Sequence, residues 1–333
     1  MRPVNQVCCA AILWACVGGA FAQQGGAVKA QADTKYPIKP IRFIVGFAPG
    51  GAVDVQARVV AQRMSESLGQ QVIVENRPGA DGIVASDAVA KSSPDGYTFG
   101  YVSAGHAMNS ILHAKTLPYH AINDFSPISL VASGPLTLVV NRSFPVNSLK
   151  QLVALAKAQP GKLNFASSGS GGTMHLAGEL LKSVAQIDIV HVPYKGGGPA
   201  LTDVLGGQVE LTFVGAPASM PHIRSGRLKV LAVTSARRSS ALPEVPTVAE
   251  LGYPGYELGA WYGVLGPART PAAQVTQLSA EIAKTVALPD IRDKLLALGI
   301  EPVGSTPERL AEHLRSEISR WTPIIAKAGI KPE

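Results

Sequence analysis

The stretch Ile41–Arg58 reads IRFIVGFAPGGAVDVQAR: an apolar run, a glycine-rich loop, then a helical pattern that starts within two or three residues. The same plan returns at Leu163–Leu181, LNFASSGSGGTMHLAGELL. A strand–loop–helix unit of this kind aims unpaired backbone N–H groups and the positive end of a helix dipole at one point. Two such points in one chain predict a cleft that holds a small anion, most simply a carboxylate. Neither turn carries an obvious nucleophile or metal cage, which favours holding over converting.

Around these units the chain alternates between strand and helix patterns. Ile41–Phe47 reads as a buried strand, and Asp54–Leu68 as a helix with Val55, Val59, Val60 and Met64 at helical spacing. Gln71–Glu75 and Tyr97–Ser103 read as further strands, separated by a short helix over Gly82–Lys91. Ile128–Asn141 carries two apolar runs around Gly134-Pro135 and reads as a crossing between domains. Leu149–Ala158 is a helix capped by Asn147-Ser148. After the second glycine unit come strands at Ile187–Val192, Leu211–Val214 and Leu228–Thr234, with helical turns at Ala200–Leu205 and Met220–Arg224. Leu258–Leu265 reads as a second crossing, and helices at Ala272–Ala287, Pro289–Ala297 and Pro307–Lys327 complete the chain. Such alternation predicts an α/β fold: mainly parallel sheets flanked by helices, in two lobes. The first lobe takes residues 36–135 and 241–333, the second residues 136–240. Ligands in such sheets sit at the carboxyl ends of the strands, where both glycine loops fall.

Composition narrows the classes. Residues 1–22 have a basic start at Arg2, an apolar middle and Ala20-Phe21-Ala22, the pattern of a signal peptide; residues 23–35 read as a flexible tail. This predicts a periplasmic, exported chain. Leu13-Trp14-Ala15-Cys16 also reads as a lipoprotein box, with lipid anchoring through Cys16 as the alternative. All three cysteines (Cys8, Cys9, Cys16) lie in the leader, so the remainder has no thiol for disulfides, catalysis or zinc. The net charge of +7 is spread over scattered residues without interleaved aromatics, a poor match to nucleic-acid binding. No cofactor motif follows either loop: there is no Walker lysine, and Met174 stands where a third dinucleotide-fold glycine would. His106, His113 and His120 are spaced by seven, but Pro118 interrupts any helix joining them, so no metal site is expected.

Several stretches together resemble one known family: YPIKPIRFIVGFAPGGAVDVQAR, LGQQVIVENRPGADG, DGYTF, DIVHVPYKGGGPALTDVLGGQVEL, LAVTSARRSSALPEVPTVAELGYPGYE and WYGVLGPARTP. Residues 36–330 are similar, in order, to the Bug (Bordetella uptake gene) receptors of tripartite tricarboxylate transporters. The resemblance implies a monomeric flytrap protein that binds di- or tricarboxylates, acidic amino acids or aromatic acids, largely through backbone amides and ordered water. It also implies membrane partners, either the transporter or a signalling protein that senses ligand occupancy. The chain departs from the family pattern twice. Asp81-Gly82-Ile83-Val84 replaces a usual Gly-Asn-Ile-Gly run, and the acidic residue common near Val214 is missing. The second departure makes the cleft less polar and favours a plain or aromatic acid over one with an amino group.

The resemblance places Phe47, Ala48, Pro49, Gly50, Gly51 and Asp54 in the first binding loop, and Ser168, Gly169, Ser170, Gly171, Thr173 and His175 in the second. Each has a plainer reading: Gly50 and Gly51 as a tight turn, Asp54 and Thr173 as helix caps, His175 as a packed core residue. His106, Tyr194, Gly215 and Trp261 complete the candidate set; Tyr194 and Trp261 could equally be cleft walls or packing aromatics. Ser168-Gly169-Ser170-Gly171-Gly172 also brushes the nucleophile elbow of serine hydrolases. It lacks the leading glycine at Ser168, and an exported hydrolase is the only enzyme alternative this leaves.

Overall fold

The computed structural model describes residues 36–328 and 330; the expected leader, Cys16 and the tail lie outside the described residues. The first glycine unit forms as its pattern requires. β1 (Ile41–Val45) is almost wholly buried and lies between parallel β2 (Val72–Asn76) and β3 (Thr98–Ser103). α1 (Ala52–Leu68) follows and buries Val53, Ala57, Val60, Ala61 and Met64, one face at three- and four-residue intervals. Each fully buried aliphatic side chain of that face contributes about 1.5–3 kcal/mol. The helix stops at Gly69, whose left-handed φ of 65° lets its N–H reach the Ser65 carbonyl.

A second parallel trio mirrors the first: β5 (Asn164–Ser167) lies between β6 (Val190–Pro193) and β7 (Leu211–Gly215). Two long antiparallel strands join the trios. β4 (Phe125–Asn141) pairs with β9 (Gly259–Pro267) up to Pro135, and from Leu136 onward with β7 and β8 (Leu228–Val233). The strand order is β2-β1-β3-β9-β4-β7-β5-β6, with β8 and β10 (Glu301–Pro302) each pairing β4. The α/β class is therefore as expected, with the parallel pairs at the two ends and antiparallel crossings between them.

Helices cover the sheet. α2 (Ile83–Ala90) and α3 (Gly105–Leu112) belong to the first trio. α4 (Leu149–Ala158), α5 (Thr173–Ala185), α6 (Gly197–Leu205) and α7 (Ala216–Arg224) belong to the second. α8 (Ala272–Ala287), α9 (Pro289–Ala297) and α10 (Pro307–Ala328) return to the first half, where α8 packs on α1 and α10 on α3, both also meeting β4.

Beyond the pairing of β4 with β9, one residue ties the two crossings together. The Thr234 N–H donates to the Leu136 carbonyl (3.0 Å), and its hydroxyl oxygen accepts from the Leu136 N–H (2.9 Å). The same hydroxyl donates to the Leu258 carbonyl (2.6 Å), while the Leu258 N–H donates to the Thr234 carbonyl (2.9 Å). Thr234 is fully buried, so these bonds have no competing water.

Candidate functional site

The carboxyl ends of both parallel trios face one partly open cavity, with about 50 Å³ open to the centre of a water molecule. That is room for several waters or a small ligand. Its wall is made largely of helix beginnings: Gly51, Ala52 and Val53 of α1, Ser103 and Ala104 before α3, Thr173 and Met174 of α5, Gly197 of α6, and Gly215 before α7. The first N–H groups of a helix have no partner within it, and each N-terminus carries about half a positive charge. Five of them converge here. Phe47, Leu136, Val214, Ala260 and Tyr262 supply the apolar remainder, and among the described residues no lysine or arginine lines the space.

The first loop leaves its helix end clear. Asp54 turns away from the cavity: its carboxylate accepts from the Gly50 N–H (3.0 Å), Arg58 Nε (3.0 Å) and Asn76 Nδ2 (2.9 Å). Burial pushes the Asp54 carboxyl up, but those hydrogen bonds outweigh it and hold the group below its ordinary value. Asn76 also donates to the Phe47 carbonyl (2.9 Å), so the loop is pinned from behind.

The second loop is different. Asp81, only 4% exposed, lies against it from the segment after β2. Ala80 and Asp81 both take left-handed backbone (φ 45° and 47°), which carries the carboxylate over the start of α5. Ser168 Oγ donates to Asp81 Oδ1 (2.8 Å), and Asn109 Nδ2 donates to the Asp81 carbonyl (3.1 Å). A Cβ added at Gly172 would overlap this carboxylate; one added at Gly105 would stand 2.5 Å from Oδ2. Oδ2 itself is buried and has no hydrogen-bond partner among the described residues. Burial pushes the carboxyl up to about 7, against the pull of the Ser168 hydrogen bond.

Phe47, Gly51, Ser168, Thr173 and Gly215 line the cavity, as placed from the sequence. Gly169 backs the Asp81 main chain and Gly171 packs on Leu112 and His113. Ala48, Pro49 and Gly50 instead line an outer groove with Gly198 and Pro199. Ser170 is half-buried and lines none of these spaces. His175 accepts from the Gly171 N–H through Nδ1 (3.0 Å) and stacks on His191 (4.0 Å between centroids), behind the wall. His106 lies deeper: its Nε2 donates to the Ala121 carbonyl (2.9 Å), it stacks on Tyr119, and burial pushes its pKa down to about 4. Tyr194 donates to Asp203 on the protein surface side (2.5 Å). Trp261 points to α10, its indole N–H donating to Glu317 (3.1 Å), and the alternation of β9 turns the neighbouring Tyr262 into the cavity instead. Asp81, Ser103 and Tyr262 are the polar-headed side chains among the lining residues that the sequence reading did not select as site residues; Leu136, Val214 and Ala260 are apolar ones it also passed over.

The two halves meet along glycine. The Ala48 N–H donates to the Lys195 carbonyl (3.2 Å). A Cβ at Gly196 would stand 2.8 Å from the Ala48 N, and one at Gly198 would overlap the Pro49 carbonyl oxygen. Only residues without a side chain allow the first loop and the start of α6 to close this tightly.

Nothing in this cavity pairs a serine or cysteine with a histidine, and no group of three metal-ligating side chains occurs among the described residues. What the cavity offers is a set of helix N-termini around a space for a small guest. Residues 56–330 match the family model described as the tripartite tricarboxylate transporter family receptor, and the chain belongs to that family. It is 42% identical to the protein in the tcbD-tcbE intergenic region of Pseudomonas sp. (strain P51), over 93% of this chain and 92% of that one. It is 40% identical to protein BugT of Bordetella pertussis, over 96% and 98% of the two chains. Among solved structures, periplasmic binding protein BugD superposes with a TM-score of 0.86 at 35% identity, covering 90% of this chain and all of that one. A Rhodopseudomonas palustris protein solved with adipate gives 0.86 at 38% (90% and 100% covered), and MatC of the same organism, solved with malate, 0.82 at 31% (87% and 100%). These relatives are receptors, not enzymes. No described helix is long and apolar enough to cross a membrane.

Proposed function

We propose that this chain captures a small organic carboxylate in this cavity, in the periplasm, and presents it to the membrane components of a tripartite transporter. The observation that carries the reading is the convergence of five helix N-termini on a space without a cationic side chain. An anion there is held by backbone N–H groups, each charge-assisted bond contributing about 1.5–3 kcal/mol. A micromolar complex needs about 8 kcal/mol net, which three or four such bonds and an apolar wall supply after ordering costs. The adipate and malate bound to two structural relatives support the same ligand class.

In this reading the lobes are residues 36–135 with 241–333, and residues 136–240, and the receptor acts as a monomer. The change of sheet partner at Pro135/Leu136 of β4 supports that division. Closure brings Ala48 against Lys195 and is the state that the membrane partner reads. A thermal-shift screen of carboxylates, each beside its amide, tests the reading. A rise for one acid class, absent for its amide, is expected; no rise with any acid overturns it.

A further inference from the structure

The cavity that favours an anion already contains one acidic side chain. Among the described residues Asp81 is the only charged one in its wall, and its carboxylate covers the start of α5, where the second loop would otherwise receive a ligand's carboxylate. One oxygen is engaged by Ser168; the other, buried, has no partner among the described residues. A buried acceptor without a donor is costly, and the cost is removed when something brings it a hydrogen. Neighbouring side chains do not: Asn109 spends its amide on the Asp81 main chain, and no cation lines the space. The clear helix end lies across the cavity at Gly51, Ala52 and Val53.

We propose that Asp81 determines ligand specificity: the carboxylate of the guest docks at the start of α1, and a hydroxyl or ammonium group on the guest donates to the Asp81 carboxylate, which lines the same space. The substrate class is thus a hydroxy or amino carboxylic acid rather than a plain diacid. This rests on the carboxylate-capture reading above. It reverses the preference inferred from the apolar surroundings of Val214, because Val214 and Asp81 line the same space and Asp81 alone brings charge to it. A plain diacid would set a second anion against Asp81 with no hydrogen between them, a repulsive element that discriminates as strongly as the attraction does.

The test compares acids that differ at one carbon: succinate, malate and aspartate, with the matching five- and six-carbon sets, by calorimetry at pH 8. Wild type should bind a hydroxy or amino acid at least tenfold tighter than the plain diacid of the same length. Asp81→Gly and Asp81→Asn, both compatible with the left-handed backbone there, should shrink that ratio to within about threefold, mainly by gaining affinity for the plain diacid. An unchanged ratio in two folded variants overturns the assignment, as does tighter binding of the plain diacid by wild type. Binding of no acid by any of the three proteins overturns the parent reading, a distinct result.

Discussion

The two glycine loops are built alike and used differently. Each follows a buried parallel strand and starts a helix whose first N–H groups face the same cavity. At the first, the nearby acid Asp54 is drawn behind the loop by Gly50, Arg58 and Asn76, and the helix end stays clear. At the second, Asp81 arrives from a segment distant in sequence and covers the helix end. Similar local sequence therefore makes one open and one filled anion position. What differs is where the nearest carboxylate finds its hydrogen bonds.

The largest expected effect that sharpens this contrast is on stability against pH. The Asp81 carboxyl sits at about 7 in the fold, above its ordinary 3.8. The folded protein therefore holds a proton that the unfolded chain has already lost, and the group's contribution falls as pH rises from about 4 to about 7, then levels. Asp81→Asn should gain on wild type by roughly 2–4 kcal/mol across that window, read from urea unfolding at several pH values. His106 has the same partners in both proteins, so its titration cancels in the difference. A constant difference from pH 4 to 8 would place Asp81 outside the filled position described here.

Asp54→Ala should act through the other loop. Removing a carboxylate that accepts three hydrogen bonds costs about 1–3 kcal/mol of stability, while the ranking of acids in a binding panel stays as in wild type. A changed ranking would mean that both loops, not one, choose the ligand.

Gly198→Val tests the seam between the halves. Its side chain would meet the Pro49 carbonyl, so affinity should fall at least tenfold, about 1.4 kcal/mol, with the melting temperature of the ligand-free protein little altered. Equal affinity would show that the ligand does not require the seam closed. The smallest effect on ligand binding belongs to Trp261→Phe, which loses the bond to the Glu317 carboxylate for about 1.5–3 kcal/mol of stability. Its affinity for ligand should be unchanged, whereas Tyr262→Phe should shift affinity severalfold.

Much of the fold was readable because helical periodicity is local. α4, α8 and α9 run over the residues their patterns indicate, and the crossing at β4 is where the two apolar runs lie. β10 escaped notice because two residues carry no period. Of the residues that line the cavity, Gly51, Ser168 and Thr173 were readable from the two glycine loops. Asp81 was visible as a departure from the family's pattern, yet its place depends on a hydrogen bond spanning 87 positions and on left-handed backbone at a non-glycine residue. Trp261 and Tyr262 are adjacent on a strand buried on both faces, so alternation alone could not say which one reaches the cavity.

Thr234 holds the chain's two passages between halves a hydrogen bond apart, at Leu136 and Leu258. A single tether would act as a ball joint and leave three rotations free. On the two-lobe division proposed above, two tethers pinned side by side would act as a door hinge with one easy swing, the one that brings Ala48 to Lys195.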